Sequence, residues 1–306
     1  MRIATANAYQ NALEAMNQRQ AKLVRTQEEL ASGKRVLSPS DDPSVASTAE
    51  RNRAAQRRLE IQTRMHEYAM GNLSQADSVL GSVGDLLQMA REAMVQAGNG
   101  TYSATDRQQI AIQLRAHRDE LLALANRGDG TGGYLFSGQG SSGAPFIETA
   151  GVVTFQPQAG EREIGMGTVG AAASLDGQRI FMNLPDGAGG VRSIFAVLDA
   201  AAASLEDPTT TGAAVGVAVR SGLTGIDAAL EQVSTQRTEV GESLRALETR
   251  VRLAEEGRIE LSAQLSGMVD VDYAKAVSDF QTHQTALSAA MRTYAQISQM
   301  SLFDYL

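Results

Sequence analysis

The sequence predicts a mainly α-helical protein, an elongated bundle of long, coiled-coil-like helices in which the N- and C-terminal helices pair and a small β-rich insertion interrupts the middle. Three observations carry this reading. Residues 223–268 hold one apolar seam, residues 131–191 switch to glycine-rich turns and short β-type runs, and the two ends carry matching narrow stripes that include glutamine.

The seam steps by three and four through Leu223, Ile226, Leu230, Val233, Val240, Leu244, Leu247, Val251, Ala254, Leu261, Leu265 and Met268, broken only by Arg237 and Arg258. A period held this long without proline predicts one helix packed along its length. At about 1.5 Å per residue it is on the order of 70 Å long, a shape suited to a stacked part and seldom needed by an enzyme.

Composition points the same way. The chain has 306 residues, 43% of them apolar, so it can bury a core. A formal net charge of −8 argues against nucleic acid as partner, because phosphate binding needs basic surface. Arg51, Arg53, Arg57 and Arg58 cluster, but on a helix they read as a solvated face. With no cysteine there is no disulfide or thiolate metal site. No apolar run approaches the ~18 residues of a membrane span and no cleaved signal peptide is visible, so no membrane partner is expected. Tryptophan is absent and aromatics make up 5%, as expected of long helices packed by aliphatic side chains.

From the N-terminus, Tyr9, Met16, Leu23 and Leu30 recur at sevens, with Leu13, Gln20 and Gln27 on the adjoining seam position. So thin a stripe is marginal without a partner. Gly33 stops this helix, Pro39 keeps the link extended, and Asp42 before Pro43 reads as an N-cap. Paired Asp41 and Asp42 read as capping rather than acid–base chemistry. The heptad returns at Leu73, Ala76, Leu80, Val83, Leu87, Ala90 and Met94 and ends at Gly98-Asn-Gly100. Ser103 with Asp106 is a capping box that opens a helix bearing Ile110, Leu114, His117, Leu121 and Leu124. So short a turn makes the two helices antiparallel. His66 and His117 then lie at different levels and share no metal.

After Asn126 glycines crowd together, and short β-type runs are expected at Tyr134–Phe136, Val152–Phe155, Glu163–Met166 and Arg179–Met182. Gly128, Gly130 and Gly133 match GxGxxG, but a helix precedes and a strand follows, the inverse of a dinucleotide site. Helix resumes over 191–205 with Ile194, Val197 and Leu198. Gly267 and Met268 break the long helix, and Asp270 or Asp272 caps a last one with Tyr273, Val277, Phe280, Gln284, Leu287, Met291, Tyr294 and Ser298 on one stripe. Three domains follow: 1–36 with 269–306, the paired ends; 37–130 with 192–268, the helical body; and 131–191, the β-rich outer insertion. The assembly interface is expected at Tyr9, Leu13, Met16, Leu23, Leu30, Tyr273, Val277, Phe280, Leu287, Met291, Tyr294, Leu302, Phe303, Tyr305 and Leu306, because exposed apolar ends mark subunit contacts.

The segment Leu30 to Pro43, the run Asn126 to Gly138 containing Gly133-Tyr-Leu-Phe-Ser-Gly138, and the tail from Val269-Asp-Val-Asp-Tyr273 through Ile297-Ser-Gln-Met-Ser-Leu-Phe-Asp-Tyr-Leu306 resemble the flagellin-like axial proteins of the bacterial flagellum. The tail and the Ser-Pro-Ser-Asp-Asp-Pro43 link are most similar to the subunits that join hook to filament. The resemblance implies a non-enzymatic subunit with no cofactor, forming a homo-oligomeric ring between the first hook-associated protein and flagellin. It also implies type III export without a cleaved signal, a cytoplasmic chaperone on the C-terminal helix, and an extracellular place in the flagellum. The rival readings are a filament flagellin and, from another class, an adhesin whose insertion binds a surface ligand. An enzyme is disfavoured, since HExxH, P-loop and nucleophile constellations are missing.

Overall fold

The computed structural model describes residues 2–140, 143–156, 162–166, 169–186, 189–207 and 212–303. Its helices are α1 (Arg2–Ser32), α2 (Pro43–Ala97), α3 (Ala104–Ala125), α4 (Ile194–Glu206), α5 (Gly212–Val269) and α6 (Tyr273–Phe303). The protein is mainly α-helical with a small β-rich insertion, as the sequence predicts. The chain divides into two compact units, one of Met1–Leu59 with Glu256–Leu306 and one of Glu60–Glu255.

In the 60–255 unit, α2 and α3 run antiparallel. Their turn is closed by the predicted capping box, with the Asp106 N–H donating to Ser103 Oγ (3.2 Å) and the Ser103 N–H to Asp106 Oδ2 (2.9 Å). Gln75 meets the carbonyl of Gly128 (3.5 Å), so the far end of α3 lies beside the middle of α2. His66 is therefore well past the end of α3, at a different level from His117. The α5 helix is antiparallel to α2, as two ion pairs show: Arg91–Asp227 (2.7 Å) and Arg237–Asp77 (2.9 Å). Thus one of the two arginines that break the seam has a partner across the helix pair. The seam faces inward: Ile226, Val233, Val240 and Leu247 are buried together with Leu80, Val83, Leu87 and Leu114, and Leu223, Leu230 and Leu244 are partly buried against them. Helix α4 is capped by Ser193 Oγ, which accepts from the Ala196 N–H (3.0 Å).

The alanine- and valine-rich opening of α5 is apolar enough over 18 residues, at mean hydropathy 1.3, to cross a membrane by length and composition alone. This amends the reading that no run approaches that length. Within it Val215, Val219, Ile226 and Ala229 are buried in the protein.

The insertion differs from expectation in detail. Among the described residues it contains three separate antiparallel hairpins: β1 (Phe146–Thr149) with β2 (Val152–Phe155), β3 (Arg162–Met166) with β4 (Val169–Ser174), and β5 (Leu184–Pro185) with β6 (Val191–Arg192). The expected runs at Val152–Phe155 and Glu163–Met166 are strands. Tyr134–Phe136 is a turn, bridged from Tyr134 to Gly128 and bonded through the Leu135 backbone to Arg127 (3.0 Å) and Leu175 (2.8 Å). Arg179–Met182 belongs to a π-helical turn, Gln178–Met182. The reason is local: Asp176 Oδ1 accepts from the Gln178 N–H (2.9 Å), closing a turn before β propensity can act. The residues then pack sideways, since Phe181 meets Phe136, Phe146 and Phe195 at centroid distances of 5.3, 5.3 and 6.2 Å. The GxGxxG match is a loop closed by Asp129, whose Oδ1 accepts from the Thr131 and Gly133 N–H groups (2.8 and 2.9 Å). A Cβ at Gly133 would stand 2.6 Å from Asp129 Oδ2, so a side chain there would push the carboxylate that closes the loop out of place.

A buried arginine fastens the insertion to the helices. Arg118, on α3 and 5% exposed, donates to Glu148 of β1 (2.7 Å) and to Asp119 (3.1 Å), and its Nε lies 3.4 Å from Asp199 of α4. Its hydrogen bond to Glu148 holds that carboxyl below the usual range. Burial outweighs the same cation at Asp199 and pushes its carboxyl up.

Candidate assembly interface

In the unit of residues 1–59 and 256–306, α1 and α6 pack together as an antiparallel pair. Two bonds fix the register. Val271 N–H donates to the Gly33 carbonyl (3.0 Å), and Arg19 Nη1 donates to the Ala286 carbonyl (2.8 Å). In each, the two residue numbers sum to nearly the same value, as an antiparallel pair requires.

The link between α1 and α2 is strongly bonded. Gly33 takes φ +70°, where a side chain is strained, and a Cβ there would also press on Tyr273 Oη at 2.9 Å. The Arg35 N–H donates to the Val269 carbonyl (2.7 Å) and its Nη2 to that of Met268 (2.7 Å). Asp41 Oδ2 accepts from the Leu37 and Ser38 N–H groups (3.0 and 2.8 Å), and Asp42 Oδ1 from the Val45 N–H (3.0 Å). The Ser38 amide, foremost, holds the Asp41 carboxyl below its ordinary value, and the Val45 amide does so for Asp42. The α5 helix runs through Gly267 and Met268 and ends at Val269, one residue past the expected break. Asp272, one of the two candidate caps, starts α6 by accepting from the Lys275 N–H (3.2 Å).

The pair sorts the expected interface residues into two sets. Met16, Leu23 and Leu30 on α1 and Phe280, Leu287 and Tyr294 on α6 are partly or fully covered. Leu13, Tyr273, Val277 and Met291 stay exposed, at 41%, 56%, 44% and 49%, with Val24 beside them at 46%. Gln20 and Gln27 are exposed too, which corrects the expected second seam position of α1. The covered companions to Met16, Leu23 and Leu30 are Ala12 and Thr26, one residue earlier, with Arg19 between them bonded across to α6. Thr26 can be buried because its hydroxyl is satisfied by the Lys22 carbonyl (2.9 Å). Tyr305 and Leu306 lie outside the described residues, and the side chains of Tyr9, Ser298, Leu302 and Phe303 outside the described side chains.

Even paired, these helices bury little. Among the described side chains of α1 only Thr26 is buried, and among those of α6 only Ala276 and Leu287. A fully buried Leu or Phe contributes about 1.5–3 kcal/mol, whereas most apolar positions here are half covered or bare. The arrangement offers two long helices whose outer faces can pack against other molecules, and no group of three or more His, Asp or Glu side chains able to hold a metal occurs among the described residues.

Comparison with known proteins agrees with this architecture. Residues 3–141 match the bacterial flagellin N-terminal helical region and residues 223–306 the bacterial flagellin C-terminal helical region, so the class is that of the flagellin-like structural proteins of the flagellum. The chain is 33% identical over 319 residues to flagellar hook-associated protein 3 of Escherichia coli (strain K12), covering 99% of each. To the protein of that name in Salmonella typhimurium (strain LT2) it is 32% identical, again covering 99% of each. A flagellin of Bacillus subtilis (strain 168) is more distant, at 29% over 98% of this chain and 97% of its own. The chain belongs to the flagellar hook-associated protein 3 family. Among solved structures, hook-associated protein 3 from Legionella pneumophila shares the fold with a TM-score of 0.68 at 18% identity, covering 72% of this chain and 98% of that one.

Proposed function

We propose that this chain is the junction subunit between hook and filament, forming a ring of its own copies above the first hook-associated protein and below flagellin. The observation that carries this reading is the full-length likeness to hook-associated protein 3, stronger than that to flagellin. The mechanism is completion of the α1/α6 pair by neighbours. Alone, its stripes are too thin to offset the ordering of two 31-residue helices, so part of that cost is met on assembly. The inner tube-forming part corresponds to residues 1–36 with 269–306, the surrounding body to 37–130 with 192–268, and the outer part to 131–191. Before export the bare face of α6, with Val277 and Met291, is the surface for a cytoplasmic chaperone, and export proceeds without a cleaved signal.

The test is to label the protein and image intact flagella. A single band between hook and filament is expected. Label distributed along the filament would replace this reading with that of a filament flagellin, which the matches to both flagellin helical regions keep as the second candidate.

A further inference from the structure

We propose that the open groove between α2 and α5 in the 60–255 unit receives the outer face of α2 from a second copy of this chain. The proposal rests on the self-assembly reading above and deepens it by naming the two surfaces that meet.

The groove has a volume of about 620 Å³ and is lined by Gly81, Gly84 and Asp85 of α2 and by Val233, Arg237 and Gly241 of α5. Its floor is firm, since Leu80, Val83 and Val240 beneath are buried. A Cβ at Gly84 or Gly241 would meet nothing within 4 Å. Glycine in a helix interior is destabilising, and among the described residues no neighbouring atom takes up the space at either position. Arg237 is hydrogen-bonded to Asp77 and Arg245 to Glu242, whereas Asp85, also on the rim, acts on Arg237 through its charge alone.

The occupant is a stripe on α2 itself. Ile61, Arg64 and Tyr68 are spaced i, i+3, i+7 on one helix face. Ile61 and Tyr68 are each 38% exposed, and the Arg64 side chain is 68% exposed with a 3.8 Å contact to Glu60, too long and wet to hold it. An isoleucine and the ring of a tyrosine, whose hydroxyl meets Thr131 Oγ1 (3.3 Å), flank a cation and complement a groove with a valine in its floor and, on its rim, a carboxylate held by no hydrogen bond. The stripe extends roughly 10 Å along the helix and the groove roughly 16 Å along α2, so the one fits within the other. Their centres are about 18 residues apart on α2, on the order of 27 Å. The contact therefore joins unlike surfaces with an axial stagger. It is heterologous, the kind that continues around a ring instead of closing a two-fold dimer.

The absence of cysteine makes the test direct. Flagella would be isolated from cells carrying Arg64→Cys with Ser234→Cys, and separately Tyr68→Cys with Gln88→Cys, then oxidised. Covalent ladders of this chain are expected from each pair and none from the single variants. Incorporated protein that gives no ladder with either pair would overturn the proposal while leaving self-assembly standing. Absence of the wild-type chain from flagella would overturn both. As a check independent of the cysteines, Arg64→Glu is expected to lower incorporation at least tenfold and Asp85→Arg in the same chain to restore it. Unchanged incorporation of Arg64→Glu, or no rescue, contradicts the proposal.

Discussion

The α1/α6 pair and the 60–255 unit are built from the same helical period, yet they use it differently. In the larger unit the seam of α5 joins a core shared with α2, α3 and α4 that reaches full burial: Ile226 of α5, Leu80 and Leu87 of α2 and Leu114 of α3 are 0% exposed. In the terminal pair, a stripe of similar spacing meets one partner helix, and Leu13, Val277 and Met291 remain 41–49% exposed. One periodicity thus supports a finished core in one place and an unfinished one in the other. The number of neighbours decides which, and in the terminal pair the proposed function assigns the missing neighbours to other molecules.

Substitutions can break that contrast. The largest effect is expected from Leu287→Asp or Phe280→Asp, which put a carboxylate on the covered face of α6. Incorporation into flagella should be abolished while the melting of the 60–255 unit is unchanged, as measured by immunoblotting of isolated flagella and by calorimetry of the free protein. Normal incorporation would remove the seam from the account. In the larger unit, Leu114→Ala should cost about 2–5 kcal/mol in denaturant unfolding, the range for a cavity in a packed core. A loss below about 1 kcal/mol would mean that this core is no better filled than the terminal pair.

A smaller effect is expected with pH. His66 is 6% exposed, its Nδ1 has no hydrogen-bond partner, and burial, followed by the nearby Arg250 charge, lowers its pKa from the ordinary 6.5. Below about pH 6.5 the unfolded chain then binds a proton that the folded chain still refuses. Stability should fall as the pH drops through that window and level off once the folded pKa is passed. His66→Leu should flatten the profile there, and an identical slope in wild type and variant would count against a buried neutral histidine.

The features legible in the sequence are those set by neighbours along the chain. The α5 seam, the Ser103–Asp106 capping box, the caps at Asp42 and Asp272 and the stop at Gly33 all depend on residues within a turn or two, and each is where its spacing implies. The misreadings arise where a side-chain bond or a distant contact overrides the periodicity. Arg179–Met182 has the composition of a strand, but the Asp176 cap and the surrounding phenylalanines turn it into a helical coil. On α1 the heptad is correct, yet the face next to it is that of Ala12, Arg19 and Thr26, because the register with α6 is fixed by Arg19 and Gly33. The role of Arg118 was hidden because Glu148 and Asp199, its partners, lie 30 and more positions away. An arginine at a position flanked by Leu114 and Leu121 on one helix face is the signal that could have found it.

The most direct test of the central claim is amide hydrogen exchange on the verified monomer, compared with the protein in isolated flagella. Slow exchange is expected across the 60–255 core in both states, with residues 3–30 and 273–300 exchanging fast in the monomer and becoming protected on assembly. Strong protection of both terminal segments in the monomer would contradict the account.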